Sequence, residues 1–394
     1  MLFECIIITG TSYSGKSEVV DELCKGDTNT GAVFGQVKIV TTDSDHSKDK
    51  HYECINDEEY KELQKKNELL IDGIYSGKKY GIKHDEYEKV KSNHKTPVLI
   101  LKPISASKLL DSNRDRYMCF FLDACNDALL ERWNEHSNTI ADNKCKKIFT
   151  KQCENDRKQQ DKAHYIINNS DFSATASLIT MLWERQNQGG ALSQQIITNM
   201  IKCGLLLRDA DLKMIKGASY DLRLGDEYYY GGRIQKLSDS RPFLTIEPYD
   251  YAIVSCLETA WIPRDVIGKF GLSVGLFCQG IILSNGPQID PGFRGTLFCM
   301  LFNTSNRAVH IKRGKHYATI EFNKLIGYSD PYVGKYQGKD KIIEYIPENA
   351  LHGAINELKK EVENLKKESH LMQNIYLGVV ALMFAIISML LVIQ

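Results

Sequence analysis

The sequence predicts an α/β domain, then an all-β domain, then a short coiled coil and one transmembrane helix. Three observations carry this. Apolar strand-like runs alternate with charged amphipathic stretches over residues 1–187. Short strands separated by turn residues fill residues 188–340. A heptad over residues 350–373 leads into an unbroken apolar run at residues 375–393.

The first element is an apolar strand at residues 3–9 that runs into GTSYSGKS, residues 10–17. This is G-x-x-x-x-G-K-S in its required setting of strand, loop and helix, a phosphate-binding P-loop. Gly10 and Gly15 let backbone N–H groups converge on phosphate oxygens, with Ser14 inside the same loop. Lys16 brings a mobile positive charge, and the Ser17 hydroxyl suits Mg²⁺. The helix that follows, with Val19, Val20 and Leu23 on one face, aims its positive end at the same anion. A chance glycine-rich turn would lack that flanking pattern.

Further strands are expected at residues 37–41, 98–101, 117–122 and 165–167, with helical stretches at 57–70 and 174–183. Parallel pairing suits this alternation. QNQGGALSQ, residues 186–194, reads as a polar linker. Strands are expected next at 219–224, 243–246, 251–257, 280–283, 296–302 and 317–322, the pattern of an antiparallel barrel or sandwich. Leu351, Ile355, Leu358, Val362, Leu365 and Met372 form the heptad seam, with Ser369 at one position. At ~1.5 Å per residue the apolar run is about long enough for a ~30 Å bilayer core. It reads as a single-pass C-terminal anchor. Lys359, Lys360, Lys366 and Lys367 ahead of it favour a cytoplasmic face.

Composition sets limits. The chain has 394 residues, room for two or three domains. Fifty basic side chains balance 50 acidic ones, so no bulk field attracts nucleic acid. The 11 cysteines are scattered without a C-x-x-C pair, which argues for a reducing compartment rather than a disulfide or zinc framework.

After the P-loop come Val40-Thr41-Thr42, then LLIDGIYSGKKYGI (69–82) and YIINNSDF (165–172). With these the first domain resembles the guanylate kinase family. The resemblance implies ATP and Mg²⁺ as cofactors. It implies a donor site of Gly10, Ser14, Gly15, Lys16, Ser17 and Arg132, with Lys16 catalytic and Ser17 the metal ligand. It implies an acceptor site including Thr42, Tyr52 and Tyr80. Three departures stand out. Asp43-Ser44-Asp45-His46 occupies the place of the arginines that hold the acceptor phosphate. Ile71, beside Asp72, occupies that of the guanine-reading glutamate. Leu101-Lys102-Pro103 ends a strand that the family follows with aspartates. Guanine specificity is therefore not expected. Lys144, Lys146, Lys147 and Lys151 are either lid charges or a solvated helix face.

ASYDLRLG (218–225), ETAWIP (258–263), QIDPGFRGTLFCMLFN (288–303) and YVGKYQG (332–338) occur in order. Through these the second domain resembles the dCTP deaminase and dUTPase superfamily. That implies a homotrimer with nucleotide sites between subunits. It implies substrate contacts from Asp221, Gln288, Asp290 and Tyr336, with Asp290 catalytic in positioning water. Deamination in this superfamily needs a glutamate as general acid/base. Met300 falls at that position, so deaminase activity is expected to be absent. Ser273-Val274-Gly275-Leu276 replaces a motif whose arginine and serine hold phosphates, leaving dUTPase-type hydrolysis weakened but open.

Two functions fit. One is a membrane-tethered nucleotide-handling protein that couples a nucleoside monophosphate kinase-type domain to a deoxynucleotide-binding domain. The other is a nucleotide-sensing membrane effector with little or no turnover. Both take nucleoside mono- or triphosphates as partners.

Overall fold

The computed structural model describes residues 3–25, 33–137, 143–284, 288–346 and 354–393. The first domain contains β1 (Cys5–Gly10), α1 (Lys16–Lys25), β2 (Phe34–Gln36), β3 (Ile39–Thr41), β4 (Tyr52–Cys54) and α2 (Asp57–Lys65). It continues with β5 (Leu69–Tyr75), β6 (Lys78–Lys83), α3 (His84–Ser92), β7 (Thr96–Ile100), α4 (Pro103–Asn113) and β8 (Tyr117–Asp123). It closes with α5 (Asn126–Ser137), α6 (Asn143–Arg157), β9 (Tyr165–Asn168) and α7 (Phe172–Glu184).

Five parallel strands form the central sheet in the order β2-β7-β1-β8-β9. All six residues of β1 are buried, as expected of a strand covered by helices on both faces. Val19, Val20 and Leu23 bury one stripe of α1. A smaller sheet, β4-β3-β6-β5, stands beside the first and is mostly antiparallel. Alternation of α and β alone does not announce it. Its strand β5 begins inside the stretch expected to be helical, because α2 stops at Lys65. Asn56 and Glu59 cap the other end of α2 reciprocally.

The second domain comprises β10 (Gly190–Ala191), α8 (Gln194–Lys202), β11 (Leu206–Arg208), β12 (Ile215–Lys216), β13 (Ser219–Tyr230) and β14 (Arg233–Lys236). Next are β15 (Phe243–Ile246), β16 (Tyr251–Trp261), β17 (Val266–Leu272), the short α9 (Val274–Phe277) and β18 (Ile281–Ser284). Last are β19 (Arg294–Asn303), β20 (Val309–Lys312) and β21 (His316–Lys324). Ten of these strands share one sheet built on β10-β21-β13-β16-β19-β18, and its pairings are antiparallel.

The expected polar linker is not a loose tether. Gly190 and Ala191 pair with Lys324 and Asn323 as the edge strand of the second sheet. One apolar core cluster runs from Ile6 and Ile8 through Leu178 and Leu192 to Tyr220 and Ile320. Tyr165 and Tyr328 add a polar contact at the same junction, hydroxyl to hydroxyl at 3.0 Å.

The expected stalk and span form one continuous helix, α10 (Ala354–Ile393). At ~1.5 Å per residue, its 40 residues extend roughly 60 Å. Within Glu361–Ile386 lies a stretch long and apolar enough, by length and composition, to cross a membrane, and none of that stretch is buried. Leu351, the first seam residue, lies outside the described residues.

Candidate functional site

The P-loop curls between the end of β1 and the start of α1, and two glycines make this possible. A Cβ on Gly10 (φ +144°) would lie 2.0 Å from the Leu122 carbonyl oxygen. A Cβ on Gly15 (φ +83°) would lie 2.4 Å from Phe172 Cε1. Both positions disfavour any side chain, by conformation and by space. Asn169 Nδ2 donates to the Ser14 carbonyl at 2.6 Å and is itself held by Thr175. Thr11 Oγ1 donates to Asp123 Oδ1 at 3.0 Å.

Lys16 is the first residue of α1 and Ser17 the second. Lys16 Nζ donates to the Thr11 carbonyl at 2.6 Å. Desolvation, aided by the Lys102 cation, pulls its pKa down to about 8, with Asp156 opposing the shift. A cation held this way gains from an incoming phosphate. Arg132 donates to the Asn169 carbonyl at 2.8 Å and lies over Phe172. It therefore borders the loop from the α5 side.

Helix α6 lies across the loop. Phe149 stacks on Trp133 and meets Tyr13. Gln152 donates to the Tyr75 hydroxyl at 2.6 Å and to Ser12 Oγ at 3.3 Å. Asp156, only 4% exposed, accepts from the Tyr75 hydroxyl at 3.2 Å. Burial pushes the Asp156 carboxyl up, and Lys16 nearby opposes that. Arg157 ends the helix with two bonds to Asp123, Nε to Oδ2 at 2.7 Å and Nη2 to Oδ1 at 3.1 Å. Lys147 and Lys151 are exposed, in keeping with a solvated face. The Lys144 side chain is outside the described residues. Gln152 and Asp156 were not legible as site residues, because only the tertiary fold decides which polar face of α6 turns inward.

On the side that the resemblance assigns to the acceptor, Ile71 lines a pocket while Asp72 turns away. Asp72 accepts from Tyr60 at 2.8 Å and Gln64 at 2.6 Å. Tyr52 and Tyr80 line the same pocket. His46 stacks on Tyr52 with ring centroids 3.9 Å apart, and the Tyr80 hydroxyl donates to Asp43 at 2.7 Å. The Thr42 hydroxyl accepts from the Lys79 N–H at 3.1 Å and so helps hold the small sheet. Lys102 Nζ sits 4.7 Å from the Tyr75 ring and 4.9 Å from the Tyr80 ring. The space left is ≈ 20 Å³, about the room of one water. The departure at Lys102 is visible in the sequence, but its insertion between two tyrosines is not.

In the second domain, Asp221 on β13 is buried, with His316 Nε2 at 3.4 Å and Lys216 Nζ at 4.0 Å. Asp290 is half-buried at the turn before β19, and Gln288 is exposed. Tyr336 stacks on Tyr345, and the neighbouring Gln337 bonds the Arg294 N–H and the Gly292 carbonyl. Among the described residues, no hydrogen bond or ion pair joins Asp221, Asp290 and Tyr336 within one chain. Two arginines are already engaged. Arg223 pairs with the buried Glu258 at 2.6 Å, and Arg294 with Asp161 at 2.9 Å. Met300 pairs with Ile253 on β16 and Ser284 on β18, and its thioether cannot relay a proton. Val274 and Phe277 of α9 are 76% and 70% exposed.

Residues 3–185 match the family described as guanylate kinase, and residues 191–325 the family described as dCTP deaminase-like. The dCTP deaminase of Thermococcus kodakarensis is 39% identical over 139 residues, covering 35% of this chain and 88% of that protein. That of Pyrococcus horikoshii is 32% identical over 144 residues, covering 36% and 91%. The solved guanylate kinase of Anaplasma phagocytophilum aligns over 48% of this chain and 88% of its own, at 15% identity and a TM-score of 0.36.

Proposed function

Because this chain belongs to the dCTP deaminase-like family through residues 191–325, behind a guanylate kinase domain at residues 3–185, we propose that it is a nucleotide-responsive membrane protein. In this reading the P-loop domain binds ATP with Mg²⁺. Gly10, Ser14 and Gly15 supply the cradle, Lys16 faces the phosphates, and Ser17 ligates the metal. The observation that carries the reading is the closed acceptor pocket, with Lys102 between Tyr75 and Tyr80 and Ile71 in its wall. Asp43, at the place of a phosphate-binding arginine, would repel an acceptor phosphate. Guanosine monophosphate is therefore not the substrate.

The second domain binds a deoxynucleotide between copies of a homotrimer, through Asp221, Gln288, Asp290 and Tyr336. A site divided between subunits agrees with the separation of these residues within one chain. Met300 removes deamination. Helix α10 holds three copies at the cytoplasmic face of a membrane, its first half as a coiled coil.

A second reading, phosphoryl transfer to an acceptor other than guanylate, is favoured by the preserved geometry of Gly10, Gly15 and Lys16. One experiment separates the two. The full chain in detergent is incubated with ATP, Mg²⁺ and each nucleoside monophosphate, then with each deoxynucleoside triphosphate. Saturable ATP binding without a diphosphate product supports the responsive protein. A diphosphate product lost in Lys16→Ala establishes the kinase instead. Uridine products from dCTP would refute the assignment of Met300.

A further inference from the structure

A second cleft, of ≈ 610 Å³, opens between the two domains, away from the acceptor pocket. This lies within the range of sites for small molecules. Its walls are chemically unequal. On the first domain's side are Asp123 and Arg157, closed on each other as a bidentate pair. Facing them are Lys202, Arg208 and Trp261.

Arg208 lies on the Trp261 indole, its guanidinium carbon 3.3 Å from the ring centroid. Arg294 approaches the same ring at 4.4 Å but is held by Asp161. Arg208 pairs with Thr259 through its backbone, but among the described residues neither its guanidinium nor the Lys202 ammonium has a hydrogen bond or ion pair. Desolvation and Arg294 hold Arg208 below the usual guanidinium range, so an anion beside it relieves an existing cost. Asp123 across the cleft, already closed on Arg157, and Asp209 on this wall oppose that shift. The strand carrying Arg208 is framed by two left-handed non-glycine residues, Leu206 (φ +67°) and Asp209 (φ +57°). Such conformations cost on the order of 1 kcal/mol or more and persist where the surroundings enforce them.

The opposite wall leads back to the P-loop. Asp123 accepts from Thr11 within the loop and from Arg157, the last residue of α6. The same helix carries Gln152 and Asp156 over Ser12 and Lys16. A molecule in the cleft would touch the group that fixes both loop and covering helix.

We infer that this interdomain cleft is a third ligand site, taking a pyrophosphate group through Arg208 and Lys202 against Trp261, and that its occupancy is coupled to the P-loop through Asp123 and Arg157. The group is carried either by free pyrophosphate or by a nucleoside diphosphate.

The test is a fluorescence titration of the full chain in detergent with inorganic pyrophosphate, and in a second arm with deoxycytidine diphosphate. A saturable change that disappears in Trp261→Phe is expected. It should persist in Lys16→Ala, which silences the P-loop. It should weaken about tenfold or more in Arg208→Gln and tighten in Asp209→Asn. The arm with the lower midpoint identifies the carrier of the group. Saturating ATP with Mg²⁺ should shift the midpoint about fivefold or more. That shift should vanish in Arg157→Lys, which loses the bidentate bond. Absence of a response, its survival in Trp261→Phe or Arg208→Gln, or its loss in Lys16→Ala would overturn the site. Equal midpoints with and without ATP would overturn the coupling.

Discussion

The Tyr165 hydroxyl donates to the Asp265 carboxylate across the junction of the two domains, in surroundings where both side chains are buried. Lys324 Nζ stands 2.8 Å from the same carboxylate. A buried carboxylate deprived of a partner costs far more than an exposed one. Tyr165→Phe should therefore destabilise the chain by about 1–3 kcal/mol. Because the contact is shared, both domains should unfold in one calorimetric transition, and the variant should lower its midpoint. Two well-separated transitions in the wild type would contradict this.

Nucleotide affinity should depend on pH through Lys16. Its pKa of about 8 lies below the usual lysine value, and a bound triphosphate raises it. Binding then takes up a proton above pH 8. The dissociation constant for ATP with Mg²⁺ should rise by up to ~tenfold per pH unit beyond that point. Calorimetry in buffers of different ionisation enthalpy at pH 8.5 should report the proton uptake. A flat profile to pH 9.5 would exclude Lys16 as the phosphate contact.

Gly15→Ala should abolish ATP binding while the second domain stays folded. The added methyl meets Phe172 at 2.4 Å and Asn169 Nδ2 at 2.8 Å. It therefore displaces the amide that holds the Ser14 carbonyl. Binding by equilibrium dialysis alongside circular dichroism distinguishes a distorted loop from a lost fold. Near-normal affinity would mean that the loop tolerates a shift the geometry forbids.

Lys102→Ala should enlarge the acceptor pocket without creating guanylate kinase activity. The lysine fills the space between Tyr75 and Tyr80, but Ile71 and Asp43 remain. A coupled assay with guanosine monophosphate is expected to stay at background. Turnover in the variant would identify Lys102 alone as the block.

Acid should loosen the domain junction. His164 is buried there between Phe3 and Tyr328, its Nδ1 accepting from the Cys119 N–H. Desolvation, helped by Arg114, brings its pKa down to about 3. The unfolded state binds a proton below pH 6.5 that the folded state refuses until near pH 3. Stability should therefore fall by up to ~1.4 kcal/mol per pH unit within that window. Denaturant midpoints at pH 7 and 5, compared with those of His164→Gln, measure this share.

The P-loop, its flanking strand and helix, and the two family segments were legible because each rests on local chemistry at fixed spacing. Gly10 and Gly15 carry their meaning in sequence, since few other residues adopt those angles. The fate of Ile71 and Asp72 was not legible. One residue of register decides which faces the pocket, and only the pairing of β5 with β6 sets it. Asp156 and Arg208 were hidden for a related reason. Each is a charged residue in a charged stretch until a distant element packs against it. The polar composition of residues 186–194 pointed to a linker, whereas backbone pairing with β21 made part of it a strand.

That strand bears on how such a chain is taken apart or assembled. Gly190 and Ala191 complete the edge of the second sheet, and the Leu192 N–H donates to the Phe322 carbonyl at 2.9 Å. Cutting at the apparent joint would leave one product with an unpaired sheet margin, a place where foreign strands add. The fusion is thus not interchangeable as a cassette. A chimera that exchanged the first domain at that point is therefore expected to be less soluble than the intact chain.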